Sequence, residues 1–185
     1  DIESLVMKCK VLIFDKCEIS NLFDGLTLPA SLNMYSIYSK MKELKIIKCD
    51  LTNINISLPH LDVLEINDSS YLESITEISP SIHKCILKNI SPRFLRTILS
   101  GIITITELNL SEMNQVDLNP ISDLLGLRVL KLTNLNLSEK FKFKNKIVKH
   151  LLGVNITGNQ IDLNKLDMSF AVENLSLHQV QVTPP

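Results

Sequence analysis

The chain has 185 residues, 45% of them hydrophobic and 21% charged, which is enough apolar material for one domain with a sizeable core and excludes a disordered segment. Nineteen basic against twenty acidic residues leave a formal charge of −1, so no global field recruits nucleic acid or an acidic membrane, and such a partner would need a local patch. No run approaches the roughly 18 apolar residues of a membrane-crossing helix, and the N-terminus lacks a basic stretch leading into an apolar signal segment.

Along the chain one block recurs: apolar, two variable, apolar, one variable, apolar, two variable, small or apolar, one variable, apolar. It reads Cys9/Leu12/Phe14/Cys17/Ile19, then Met41/Leu44/Ile46/Cys49/Leu51, then Leu61/Leu64/Ile66/Ser69/Tyr71. Two copies with degenerate ends follow, Ile82/Cys85/Leu87/Ile90 and Ile105/Leu108/Leu110/Met113. The last three are Leu127/Leu130/Leu132/Leu135/Leu137, Leu151/Val154/Ile156/Asn159/Ile161 and Val172/Leu175/Leu177/Val180/Val182. Taking the second apolar position as the mark, six of the seven gaps between copies measure 20 to 24 residues. Each x-L-x-L-x core alternates, the signature of a short strand whose side chains point to opposite faces, so strands are expected near 10–15, 42–47, 62–67, 83–88, 106–111, 128–133, 152–157 and 173–178.

Helix signals punctuate the segments between strands. Within "PASLNMYSIYSKMKEL" an apolar residue recurs every three positions, at Leu32, Tyr35, Tyr38 and Met41, and a helix there accounts for the long first gap. In "SPRFLRTILSG", Ser91 suits an N-cap, Pro92 the first turn and Gly101 the stop, with Phe94, Leu95, Ile98 and Leu99 forming one apolar face. "NPISDLLG", from Asn119 to Gly126, repeats that design in shorter form, whereas "TNINISLP" is too β-branched and reads as extended.

The repeated pattern resembles the leucine-rich repeat family over almost the whole chain. Cys17, Cys49 and Asn159 stand at the family's N/C position, while Ser69, Ile90, Met113, Leu135 and Val180 depart from it, which removes a continuous asparagine ladder. The resemblance implies an α/β fold, a right-handed solenoid or horseshoe with a parallel concave β-sheet and a convex side mixing short helices with extended segments. Residues 1–185 are then one domain of about eight repeats, each unable to bury its leucines alone. A helical bundle would instead need an i, i+3, i+4 period, and a parallel β-helix would lack the helix signals. A start at Asp1 fits a processed product or an excised fragment, and with the last copy running out at Val182 part of a longer solenoid is one expectation.

No chemistry-bearing constellation stands out. The histidines at 60, 83, 150 and 178 lie far apart, no Cys or His pair has metal-ligand spacing, and five glycines form no phosphate cradle, so no enzyme activity, cofactor or metal is expected. Cys9, Cys17, Cys49 and Cys85 all fall at inward positions, as buried thiols or, for Cys17 and Cys49 in consecutive copies, as a bridge. Seven Asn-x-Ser/Thr sequons, at Asn55, Asn67, Asn89, Asn109, Asn136, Asn155 and Asn174, point to a secreted or cell-surface setting, whereas buried thiols and the lack of cysteine-rich caps point inside the cell. The compartment therefore stays open, with the balance slightly toward the interior.

Function rests on the outward strand residues, the surface this family most often uses for partners. Lysine-rich copies (Lys42, Lys45, Lys48; Lys84, Lys88; Arg128, Lys131) alternate with acidic ones (Asp62, Glu65, Asp68; Glu107, Glu112), so neighbouring strands neutralise one another and deny nucleic acid an uninterrupted basic track. Aliphatic Ile13, Ile47 and Ile86, with Val11, Val63 and Val129, occupy outward positions where the pattern requires none, as at the centre of a protein interface. The expected partner-binding face comprises Ile13, Lys45, Ile47, Glu65, Ile86, Lys88 and Lys131, and the partner is a protein of unknown identity. A secreted ectodomain or the substrate-receptor region of a larger adaptor are the alternatives. In "EKFKFKNKIVKH", Phe141 and Phe143 are expected to face the core, while Lys140, Lys142, Lys144 and Lys146 form a solvated edge or a basic patch.

Overall fold

In the computed structural model the described residues are 10–16, 21–22, 40–50, 52–56, 58–137, 141–142, 153–157, 166–167 and 173–179. Alternating apolar residues form the strands β1 (Val11–Asp15), β2 (Asn21–Leu22), β3 (Glu43–Ile47), β4 (Asn53–Ile56), β5 (Val63–Asn67), β6 (Ser74–Ile78) and β7 (Lys84–Lys88). Helix α1 (Pro92–Gly101) precedes β8 (Glu107–Ser111), and a 3-10 helix (Asn119–Asp123) precedes β9 (Val129–Thr133). The chain continues through β10 (Phe141–Lys142), β11 (Gly153–Thr157), β12 (Leu166–Asp167) and β13 (Leu175–His178).

The architecture is α/β with mostly parallel sheet. Eight strands pair in parallel in the order β1-β3-β5-β7-β8-β9-β11-β13, which is chain order with the returning segments left out. Two smaller sheets, β2-β4-β6 and β10-β12, are built from those returning segments. The inward register is continuous: Leu12, Leu44, Leu64, Cys85, Leu108, Leu130, Val154 and Leu175 form one column, and Phe14, Ile46, Ile66, Leu87, Leu110, Leu132, Ile156 and Leu177 the next. From β3 to β9 every member of both columns is at most 1% exposed. At about 1.5–3 kcal/mol for each buried aliphatic side chain, these columns dominate the favourable side of folding. At β13, by contrast, Leu175 and Leu177 are 51% and 45% exposed. Both were expected to be core. Among the described residues β13 pairs only with β11, so its inward leucines have one flank uncovered.

Strand starts and ends follow one geometry. A single carbonyl before each of β1, β3, β5, β7 and β8 accepts two N–H groups from the start of the next strand of the sheet: Lys10 from Lys42 and Glu43, Lys42 from Asp62 and Val63, Asp62 from His83 and Lys84, His83 from Thr106 and Glu107, Thr106 from Arg128 and Val129. After the strand comes a non-glycine residue in the left-handed region, at Lys16, Lys48, Asp68, Asn89, Glu112, Asn134 and Gln179, with φ between 47° and 55°. Its N–H donates to the last carbonyl of the following strand in six consecutive cases, Lys16 to Ile47 through Asn134 to Thr157. Each left-handed residue costs roughly 1–2 kcal/mol, offset by that bond and by the sharp turn it permits.

The small-or-apolar position of the recurring block also faces inward. Cys49, Ser69, Ile90, Met113 and Leu135 are all buried there. Ser69 keeps part of the polar role: its Oγ accepts from the Cys49 N–H at 3.3 Å and donates to the Asn67 carbonyl. Hydroxyls reach back between coils elsewhere, with Ser81 donating to the Leu61 carbonyl at 2.7 Å and Thr104 to that of Ile82 at 2.8 Å.

Helix α1 obeys its sequence signals: Ser91 Oγ accepts from the Phe94 N–H at 3.1 Å, proline follows, and Phe94, Leu95, Ile98 and Leu99 are buried. Gly101 differs from expectation. It is the last helical residue, and the chain leaves through an extended Ile102 rather than a left-handed stop. Its lack of a side chain serves packing, because a Cβ there would lie 2.2 Å from Ile78 Cδ1. The "NPISDLLG" segment closes as a 3-10 turn rather than an α-helix, with Asp117 Oδ1 accepting from the Asn119 N–H at 2.9 Å. "TNINISLP" is extended, as β4. The helix expected over Leu32, Tyr35 and Tyr38 lies outside the described residues, as do Cys9, Cys17 and Phe143.

Candidate functional site

Parallel pairing arranges the outward residues of the eight strands in three rows. The first holds Val11, Glu43, Val63, Lys84, Glu107, Val129 and Gly153. The second holds Ile13, Lys45, Glu65, Ile86, Asn109, Lys131, Asn155 and Ser176; the third holds Asp15, Ile47, Asn67, Lys88, Ser111, Thr133, Thr157 and His178. Ile13, Lys45, Glu65, Ile86 and Lys131 thus share one row, and Ile47 and Lys88 another.

Adjacent strands exchange charge as the alternation requires. Lys45 Nζ lies 3.2 Å from Glu65, Lys88 Nζ 3.2 Å from Glu112, and Glu107 Oε1 is shared between Lys84 at 3.1 Å and Lys131 at 3.2 Å. Partial burial pushes the Glu107 carboxyl pKa up, but the hydrogen bonds from Lys84 and Lys131 and their charges outweigh it and hold the pKa below its ordinary value. Glu43 joins this face, 4.0 Å from Lys45, although the sequence pattern had drawn attention only to the lysines of its copy. The strand positions of the face carry Lys45, Lys84, Lys88 and Lys131 against Asp15, Glu43, Glu65 and Glu107, four of each sign, so their formal charge cancels. A phosphate backbone finds no continuous basic track here.

The aliphatic residues do not form one strip. Ile47 pairs across to Asn67 and Ile86 to Glu65, so β5 separates the two isoleucines, and it does so with a polar pair, Asn67 Nδ2 donating to Glu65 Oε1 at 2.7 Å. Asn67 Oδ1 is buried there without a hydrogen-bond partner. Ile47, Val63, Ile86 and Val129 are half-buried, whereas Val11 and Ile13 on β1 are 45% and 54% exposed. Among the described outward positions the most exposed aliphatic residues are therefore on β1.

The basic stretch after β9 contributes only the backbone pairing of Phe141 and Lys142 with Leu166 and Asp167; Lys140, Lys144 and Lys146 lie outside the described residues. Burial pushes the Cys85 thiol up to about 12, an unreactive small hydrophobe rather than a nucleophile. Cys49 is buried with Sγ 3.3 Å from the Ile47 carbonyl. Among the described residues no three His, Cys, Asp or Glu side chains gather as metal ligands, and no helix is long and apolar enough to cross a membrane. A shallow recess of about 350 Å³ between β6 and α1 is lined by Ile75, Ile78, Thr97, Ser100 and Gly101, without a titratable group.

Compared with known proteins, the chain matches no family model, and no curated protein matches it either.

Proposed function

We propose that the chain is a right-handed leucine-rich repeat solenoid, a horseshoe whose eight-stranded sheet is the concave side, and that this face recognises a protein partner without performing chemistry. The observation that carries the proposal is the outward sheet surface itself, where half-buried Ile47, Val63 and Ile86 sit among lysines and carboxylates that neutralise one another. Apolar side chains interleaved with satisfied charges are what a desolvated interface centre requires, since each pair already has its counter-charge when water leaves. Lys45, Glu65, Lys88 and Lys131 supply polar contacts around Ile13, Ile47 and Ile86.

The direct test is capture of the protein partner from an extract of the native cells. Ile47→Asp combined with Ile86→Asp should abolish capture while leaving Tm in place, because both side chains face outward. Unchanged capture would remove the two residues from the site. A secreted or surface ectodomain is the second reading, favoured by the sequons, of which Asn89, Asn136 and Asn174 are exposed. Intact mass of the natural protein distinguishes it, since added hexose and N-acetylhexosamine would place the chain in the secretory route.

A further inference from the structure

The described lysines of the eight-stranded sheet fall into two populations. Those at outward positions within the strands are paired: Lys45, Lys84, Lys88 and Lys131 each reach a carboxylate within 3.2 Å. Around the first two strands of the sheet the situation reverses. Residues 10–16 and 40–50 carry six lysines (10, 16, 40, 42, 45, 48) against three acids (15, 43, 50), a local charge of 6 − 3 = +3 in a chain whose total is −1. Of those six only Lys45 is paired; Lys10, Lys16, Lys40, Lys42 and Lys48 are exposed, and none forms an ion pair among the described residues.

The five unpaired lysines are not scattered. Lys10 and Lys42 are neighbours at the start of β1 and β3, the Lys42 N–H donating to the Lys10 carbonyl at 2.7 Å, and Lys40 lies two residues earlier. Lys16 and Lys48 hold the left-handed positions at the other end of the same strands. Between the two clusters the outward face presents Val11 and Ile13, the most exposed aliphatic residues of the sheet's outward rows, with Ile47 diagonal to Ile13 on β3. Six residue steps along β1 separate Lys10 from Lys16, about 20 Å.

Resting on the protein-binding reading above, we infer that the β1–β3 corner docks an extended acidic protein segment, with carboxylates at both ends of a span of about six residues and aliphatic side chains between them. The spacing favours peptide over other anions. A nucleic-acid backbone would meet two cation clusters interrupted by Val11, Ile13 and the acids Asp15 and Glu43, and a bilayer would have to reach the sheet face while both rims stay wet. An extended segment rises by the same 3.3 Å per residue as the strands beneath it, so one peptide reaches both clusters while its central side chains cover the aliphatic patch.

The test is selection from a random peptide display library on the immobilised full chain. The expected result is enrichment of peptides with acidic ends and aliphatic centres, whose binding falls at least about tenfold in Lys10→Glu/Lys42→Glu and in Lys16→Glu/Lys48→Glu, is lost in Ile13→Asp, weakens with salt, and is unchanged in Arg93→Glu on α1. Circular dichroism of each variant excludes unfolding. Binding that survives the corner reversals but is lost in Ile86→Asp overturns this inference and leaves the broader reading of the face standing. Enrichment of non-acidic peptides, or binding of phosphatidylserine-containing vesicles or single-stranded DNA in place of peptide, also overturns it. No enrichment at all counts against both.

Discussion

The outward face of the sheet changes character halfway along. From β1 to β7 it carries five aliphatic residues, Val11, Ile13, Ile47, Val63 and Ile86; from β8 to β13 the same rows hold only Val129, and otherwise charged, amide and hydroxyl residues or glycine, such as Asn109, Ser111, Thr133, Asn155 and Thr157 by register. The inward columns show no such change between β3 and β9, where both halves are equally buried. Interior positions answer to packing, which every strand of the sheet between β3 and β9 satisfies alike. Exterior positions are released from it, so a difference confined to the outside is where the proposed partner-binding face would show itself.

That contrast can be broken or sharpened by experiment. Leu64→Ala in the first half and Leu130→Ala in the second should each cost about 2–5 kcal/mol by chemical denaturation, because both leave a cavity in the same column. A large effect in one half alone would mean that the interiors are not equivalent. On the outside the effect should divide: Ile47→Asp/Ile86→Asp abolishes partner capture, while Asn109→Asp/Thr133→Asp leaves most of it. Ser91→Ala, at the junction of the halves, should lower stability by about 1 kcal/mol, since it removes the N-cap of α1 and the bond to the Leu72 carbonyl. Lys48→Gly should raise stability by about 0.5 kcal/mol by relieving a left-handed residue at φ 52°, although glycine's extra chain entropy offsets part of the gain.

The smallest expected effect is electrostatic. The folded Glu107 carboxyl has a pKa below its unfolded value, so the carboxylate adds stability that is fully present above the unfolded pKa of about 4.3 and is lost as pH falls through the lowered folded value. Denaturation followed from neutral pH to about pH 3 should therefore cost the wild type slightly more stability than Glu107→Gln. An identical profile in both proteins would separate Glu107 from the two lysines it bridges.

Much of the strand framework was legible in the chain because alternation is a strong signal when it recurs at a near-constant spacing. The partners of the outward charges followed from sign alone, Lys45 with Glu65 and Lys131 with Glu107. Other features left weaker traces. At the seven described positions the left-handed turn after a strand is filled by Lys, Asp, Asn, Glu and Gln rather than glycine, so no glycine marks it there, and only its fixed place two residues after the second inward position reveals it. Gly101 reads as a helix stop but makes room for Ile78, a contact between segments more than twenty residues apart that no local pattern encodes. The apolar outward residues were visible one by one. Their separation by Glu65 and Asn67, and the concentration of unpaired lysines around β1 and β3, emerge only from the register between strands.

Single cysteines introduced along the two faces test the arrangement most directly, with labelling by a maleimide under native conditions as the measurement. Cysteines replacing Ile13, Glu65, Asn109 and Lys131 should react freely, whereas those replacing Leu44, Leu64, Leu108 and Leu130, like the buried native Cys85, should react only as the protein unfolds. Protection within the first set, or ready reaction within the second, would contradict the strand register and with it the open face on which the proposed partner binding depends.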